Sequence, residues 1–200
     1  MSNAVELPRG WPDTPPLLIS ERLTLRAFRQ QDASAIHKLF SSPQTARMAS
    51  SIPVPFHPHA ANGWISCRSG YFARGQGISW AVVESSSGLT IGDIGLFVRT
   101  GHENWEIGYA IMEEFAGNGY ATEASRTVMQ WGASTLGFRT VTAGHFADNP
   151  ASGRVLQKTG FVPTGESQMW YSLARGEKSL GLSYIWTADD TTAPSRQSAS

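Results

Sequence analysis

Apolar and polar residues alternate across positions 17–28, where Leu23, Leu25 and Ala27 are set against Arg22, Thr24 and Arg26. A period of two sends successive side chains to opposite faces, so this stretch predicts a first strand. The period then lengthens. Ile36, Leu39 and Phe40 form a stripe at helical spacing behind Asp32, which predicts a helix over 33–40 with Asp32 as its N-cap. Pro53, Pro55 and Pro58 interrupt the chain before a second helical stretch near 60–73. Strands are predicted at 78–84 and Thr90–Val98, separated by the turn composition Ser85-Ser86-Ser87-Gly88, and again at 105–112. The longest helical pattern covers 119–136, with Ala121, Ala124, Val128, Trp131 and Leu136 on roughly one face. A strand at Thr140–Phe146, a helix at 151–159 and strands at 165–173 and 179–186 complete the series. Strand-helix-strand-helix segments behind an antiparallel meander predict a mixed α/β domain, not a doubly wound sheet.

Both ends break this pattern. Residues 1–16 hold four prolines and read as an extended lead-in, while 189–200 is rich in Ser, Thr and Ala without periodicity and reads as a disordered tail. The stretch between, 17–188, is long enough for one well-buried core and short for two, so a single domain is expected. Its 16 basic and 16 acidic residues cancel, which leaves no global field to draw the molecule onto nucleic acid or an anionic membrane. No apolar run is long enough to span a bilayer, and the first residues lack a basic-then-apolar leader. A lone cysteine, Cys67, has no partner for an intramolecular disulfide, so a reduced, cytoplasmic protein is expected.

The candidate chemistry concentrates where the 105–112 strand meets the longest helix. Gly117-Asn118-Gly119 lies at that junction, and two glycines one residue apart let backbone amides approach a ligand beside the positive end of a helix dipole. This composition suits an anion site, and it equally suits an ordinary strand-to-helix turn. A dinucleotide fingerprint fits badly, because Thr122 stands at the third glycine position, and no Walker-type Gly-Lys-Ser/Thr follows. On the preceding strand, alternation puts Glu106, Gly108 and Ala110 on one face and Trp105, Ile107, Tyr109 and Ile111 on the other. A nearly bare face beside one carboxylate suits a ligand groove, or room for a packed helix. Further on, Asn149-Pro150 reads as an N-cap and N1 pair, with Gly160 closing the same helix.

These segments together resemble the GNAT acetyltransferase superfamily. Its cofactor loop, Arg/Gln-x-x-Gly-x-Gly/Ala, is matched by Glu114-Phe115-Ala116-Gly117-Asn118-Gly119, with Glu114 departing from the first position. The run Gly-Tyr-Ala-Thr-Glu-Ala at 119–124, with Glu-Ile-Gly-Tyr at 106–109, is similar to the branch of ribosomal-protein N-terminal acetyltransferases. The next family element is matched by Asn149-Pro150-Ala151-Ser152, Val155-Leu156, Lys158 and Gly160-Phe161, and the similarity covers roughly 17–186. The resemblance implies a mostly antiparallel sheet of six to seven strands, flanked by helices, whose splayed central strands form the cofactor cleft. It implies acetyl-CoA as co-substrate, with the amides of Ala116, Gly117, Asn118, Gly119 and Tyr120 around the pyrophosphate and Ala121 opening the helix. The backbone of the 105–112 strand, Ile111 and Met112 included, would pair with the pantetheine arm. Asn149 or Ser152 would contact that arm, and Lys158 would approach the phosphates.

Transfer from a thioester to an amine needs a neutral amine, yet a lysine titrates near pH 10.4 and an α-amino group near 8, so a base is required. Glu106 is the candidate base, against the alternative of a solvated edge-strand carboxylate. A backbone amide at Ile111 or Met112 would stabilise the oxyanion. Many family members carry a Tyr after the residue matching Leu156, but Gln157 stands here, which leaves Ser152 or solvent to protonate the thiolate. The histidines (His37, His57, His59, His102 and His145) include one His-x-His pair and predict no metal site. The expected acceptor is a small-molecule amine or a protein N-terminus, met by the variable loops 50–62 and 165–176. Trp170 and Tyr171, read as exposed aromatics, point to a homodimer surface. The competing reading is a catalytically silent acyl-CoA-binding protein.

Overall fold

A computed structural model describes residues 7–98 and 105–188. The expected tail at 189–200 and His102 lie outside these. The alternating segment at 17–28 forms two strands, β1 (Leu18–Ile19) and β2 (Leu23–Arg26), because the Ser20 amide donates to Leu23 O at 2.9 Å and turns the chain between them. That split raises the sheet from the expected six to seven strands to eight. The others are β3 (Gly77–Glu84), β4 (Thr90–Val98), β5 (Trp105–Ile111), β6 (Thr140–Phe146), β7 (Val162–Ser172) and β8 (Glu177–Thr187). Their order is β1-β2-β3-β4-β5-β6-β8-β7, antiparallel throughout except for the parallel β5/β6 pair. The last hairpin therefore folds back so that its second strand, β8, lies against β6.

Among the described residues, five helices cover the two faces: α1 (Ala33–Ser41), α2 (Pro43–Arg47), α3 (Pro58–Ala73), α4 (Tyr120–Thr135) and α5 (Pro150–Lys158). Among these, α2 was not predicted, being too short to show a period; it is set by Pro43 at its first position and by the Ser42 hydroxyl, which accepts from Thr45 N at 3.2 Å. Asp32 is not the cap expected for α1. A 3₁₀ turn over Gln30–Asp32 leads directly into the helix, and Asp32 already has helical backbone angles. Its carboxylate turns back to accept from Arg29 N (2.7 Å), both terminal nitrogens of Arg26 (2.7 and 2.8 Å) and the Thr90 hydroxyl (2.8 Å). Burial alone would raise its pKa, but these bonds win and hold it below the usual carboxylate range.

One core lies between the sheet and α4/α5, around Trp80, Ile94, Leu96, Ile107, Val128 and Leu156. Trp80 is fully enclosed, packs edge-on to Trp131 and donates its indole N–H to Pro16 O at 2.8 Å. Removing such a ring typically costs about 3–5 kcal/mol. The opposite face carries a second cluster from α1, α2 and α3, including Ile36, Phe40, Phe56 and Ile65 with Met112. The lead-in joins the first core, since Trp11 stacks on Phe72 and Trp105.

Candidate active site

β5 and β6 pair only at Trp105↔Val141 and Glu106↔Thr142, and then diverge. β5 remains fully paired to β4 as far as Ile111, so the divergence opens a wedge on one side of β5 alone. In an antiparallel ladder the backbone groups of alternate residues point to one neighbour and those between them to the other. Met112 N donates to Ile91 O at 2.8 Å, which fixes the parity: the amides of Ala110 and Gly108 turn to β4, and those of Ile111 and Tyr109 turn into the wedge. Met112 therefore offers no amide to an oxyanion; its carbonyl accepts from Phe115 N, and its side chain is buried in the second core. Ile111 keeps the expected orientation.

The wedge ends at the turn into α4. A 3₁₀ turn at Glu113–Phe115 uses the Ala116 amide, which donates to Glu113 O at 3.0 Å and so is unavailable to a phosphate. Among the described residues, no protein acceptor meets the amides of Gly117, Asn118, Gly119, Tyr120, Ala121 or Thr122. Gly117 and Gly119 have φ of 80° and 83°, values that only glycine adopts without strain, and a Cβ on Gly117 would meet nothing within 4 Å. The helix starts at Gly119 with no side-chain cap. An uncapped N-terminus with convergent amides and open space in front fits a phosphate group.

Surrounding side chains hold this turn. The Asn118 amide donates to Phe115 O and Ala116 O, closing the loop on itself. Arg22, which pattern reading treated only as a strand position, donates to Asn118 O at 3.0 Å and lies 4.7 Å over the Tyr120 ring. It also pairs with Glu123 in the first turn of α4, whose carboxylate accepts from the Ser20 hydroxyl and the Arg22 amide. Tyr120 donates its hydroxyl to Glu84 on β3. Glu114, the departure from the family pattern, pairs with Lys38 and so ties the turn to α1.

Across the wedge, α5 begins in the opposite manner. Asn149 Oδ1 accepts from Ser152 N at 3.3 Å and Pro150 takes the first position, so this helix end is closed by its own side chain. The Ser152 hydroxyl shares a 3.0 Å hydrogen bond with Tyr109, whose hydroxyl also donates to Ser152 O at 3.1 Å. Burial pushes the Tyr109 phenol well above its usual range, so it remains a proton donor. Tyr109 was not among the predicted site residues, although its place in a strand facing a helix-capping motif was visible. Gln157 and Lys158 are exposed, and Lys158 lies roughly 9 Å along the helix from Ser152; its carbonyl accepts from Arg126. His145 is buried, with one ring nitrogen at Phe146 O and the other at the Tyr184 hydroxyl.

The other face of the sheet is the one that α1, α2 and α3 pack against. Glu106 is half-buried there, beside Gly108, where a Cβ would meet nothing within 4 Å. The two loops expected at the acceptor rim come together: Leu173 N donates to Ser50 O at 3.0 Å and the Ser172 hydroxyl to Ala49 O at 3.2 Å. Arg175 then grips Asp148 through both terminal nitrogens, and Arg47 joins the same carboxylate. Trp170 is not the exposed aromatic expected, since it is half-buried over Phe146, Gly144 and Gly181; Tyr171 is exposed. Cys67 is exposed on α3.

A sheet parted beside one strand, with an uncapped helix end at the mouth of the parting, suits an anionic, phosphate-bearing ligand. The chain belongs to the GNAT acetyltransferases, its residues 22–162 matching the acetyltransferase (GNAT) domain. It is 34% identical over 151 residues to the uncharacterized N-acetyltransferase YoaA of Bacillus subtilis (strain 168), covering 75% of this chain and 85% of that protein. Its fold is similar to Mycobacterium smegmatis RimJ in complex with CoA-disulfide (TM-score 0.74, 22% identity, 92% of this chain and 90% of that one). It is also similar to the ribosomal-protein-S5-alanine acetyltransferase of Vibrio fischeri (TM-score 0.75, 19% identity, 90% and 100%). The chain is thus an acetyl-CoA-dependent N-acetyltransferase, whose general reaction is the acetylation of an amine. No helix among the described residues is long and apolar enough to cross a membrane.

Proposed function

We propose that this enzyme moves the acetyl group of acetyl-CoA directly to a primary amine held in a ternary complex. The carrying observation is the uncapped start of α4 at the mouth of the β5/β6 wedge, with Glu106 on the far face of the same strand. Phosphate oxygens would take the amides of Gly117 to Ala121, and the pantetheine arm would pair with the wedge-facing backbone of Ile111 and Tyr109. Asn149 commits its oxygen to capping, which leaves only its amide nitrogen for the arm. Glu106 takes the proton of the ammonium; the freed lone pair attacks the acetyl carbonyl, and charge on the oxygen meets a wedge-facing amide. The C–S bond then breaks and the thiolate collects a proton on the α5 side, where Tyr109 and Ser152 form the nearest donor pair. Base and acid thus act from opposite faces of the sheet, which suits one-step transfer without an acetylated enzyme.

The acceptor is a protein N-terminal α-amine or a small-molecule amine, the former supported by the RimJ and S5-alanine acetyltransferase neighbours. A cytoplasmic location and a homodimer built on the exposed Tyr171 surface complete the reading. Glu106→Gln should retain acetyl-CoA affinity but lower kcat/KM by roughly 10²–10⁴ at neutral pH, with the loss shrinking at high pH as more acceptor is already neutral. Unchanged activity across the pH range removes Glu106 as the base. The second reading, a protein that binds acyl-CoA without turnover, draws on Gln157 and on the Ser152 hydroxyl already shared with Tyr109. It is supported if acetyl-CoA binds and no amine releases coenzyme A.

A further inference from the structure

β4 carries a carboxylate that pattern reading passed over. Asp93 stands in the run Ile91-Gly92-Asp93-Ile94-Gly95-Leu96, a strand otherwise free of charge, and only 8% of it is accessible. Its register partners are Ala81 on β3 and Ala110 on β5, so it lies on the acceptor face, on the same side of the sheet as the pairs Gly95↔Gly108 and Phe97↔Glu106. Ala81, Ala110 and Gly108 are small and Gly108 faces open space, whereas the Phe97 ring lies over Gly95. Two carboxylates, Glu106 and Asp93, therefore stand at the two ends of a strip along β5 that Gly108 leaves open. Four residues along the strand separate their rows, about 14 Å between backbones before the side chains reach inward.

Asp93 has no hydrogen-bond partner among the described residues. The charged group facing it from α3 is Arg68, and no ion pair closes between them; the guanidinium is instead held over Trp64 at 4.2 Å and Phe97 at 5.0 Å, its Nε buried without a partner. Ser79 and Ala81 on β3 and the packed Ile36, Leu39 and Phe40 of α1 add no charge, and Glu106 stands two rows away on β5. Burial without a compensating bond pushes the Asp93 carboxyl up to about 7, against the weaker pull of Arg68. A buried, unpaired carboxylate is costly to the fold, and such costs are retained where a ligand supplies the missing partner.

We propose that Asp93 binds a second positive charge on the acceptor, so that the preferred substrates are doubly cationic amines, one nitrogen at Glu106 and the other at Asp93. The inference rests on the acetyltransferase reading of the same site. A charge-assisted hydrogen bond to a desolvated carboxylate corresponds to roughly a 10- to 100-fold preference.

The test compares cadaverine and spermidine with pentylamine, which lacks the second ammonium, in wild type and Asp93→Asn. Wild type should favour the polycations at least 10-fold in kcat/KM, mainly through KM, while Asp93→Asn should lose that preference and keep pentylamine turnover and acetyl-CoA affinity. The melting temperature of Asp93→Asn at pH 8 should equal or exceed that of wild type. The folded pKa lies above the unfolded value of 3.8, so wild type loses stability as pH rises from about 4 to 7 and the amide does not. A wild type that acetylates other amines but shows no preference for the polycations overturns this inference alone. So does an Asp93→Asn variant that keeps the preference, or one that melts earlier and loses all amines equally, the mark of a carboxylate that serves only to balance Arg68. Failure of acetyl-CoA to bind wild type overturns the acetyltransferase reading and this inference with it.

Discussion

Two helices begin on either side of the wedge, and they begin differently. α5 starts with Asn149 and Pro150, which satisfy its first turn internally. α4 starts with a left-handed glycine, no capping side chain and a row of amides that meet no protein acceptor. A helix end that has glycine in place of a capping side chain forgoes roughly a few tenths of a kcal/mol of local stability. The difference carries the proposal for where the ligand belongs: the chain finishes one helix start with its own side chain and leaves the other open to a phosphate.

The largest expected effect comes from blocking the open end. Gly119→Val should weaken acetyl-CoA binding by roughly 100-fold, about 2.8 kcal/mol, because a branched side chain enters the phosphate approach. It also strains a φ of 83°, at a cost of about 1–2 kcal/mol. Calorimetry at a temperature where the variant is folded separates the two; wild-type affinity there would remove the loop from the site.

Opening the closed end should do much less to the ligand. Asn149→Ala is expected to cost about 1 kcal/mol of stability, with acetyl-CoA affinity little changed. Denaturant melts and a binding isotherm on the same sample check both. An affinity loss as large as that of the Gly119 variant would erase the distinction and give Asn149 a direct role at the coenzyme.

The smallest effect concerns what braces the open end. Burial alone would raise the Glu123 pKa, but the Arg22 amide, the Ser20 hydroxyl and the Arg22 guanidinium hold it below its usual value. A depressed carboxylate stabilises the fold above its unfolded pKa and loses that contribution as pH falls through the folded one. Between about pH 5 and pH 3 wild type should therefore lose more stability than Glu123→Gln. Parallel melts over that range test it, and identical slopes would show that the brace carries no net energy.

Long elements were legible because their periods are strong: β3, β4, β6, α3 and α4 fall within a residue or two of expectation. The two glycines were legible because few local structures need two residues with positive φ so close together. Other features depend on partners distant in sequence. Asp32 has the composition of a cap, but Arg26 and Thr90 compete for its oxygens and win. The Met112 amide is committed by a ladder whose parity is fixed only once β4 and β5 are in register, and the Ala116 amide by a 3₁₀ turn that no period reveals. Asp93 left one signal, a charge inside an apolar strand, but that signal has meaning only beside Gly108 and an Arg68 that does not reach it.

The position of β8 bears on the order in which the molecule is made. β6, the far wall of the wedge, shares only two register pairs with β5 and is otherwise held by β8, from Thr140↔Thr187 to Phe146↔Gly181. The rim that joins Ala49 and Ser50 to Ser172 and Leu173 closes over more than 120 residues of sequence. Contacts of such separation form late, because the entropy of closing the intervening chain is lost before they give anything back. On a ribosome, β1 to β5 and the glycine turn emerge first, and their partner wall gains its support only when the last strand follows. A chain halted before residue 177 lacks that support, so the far wall of the wedge becomes firm only once β8 has been made.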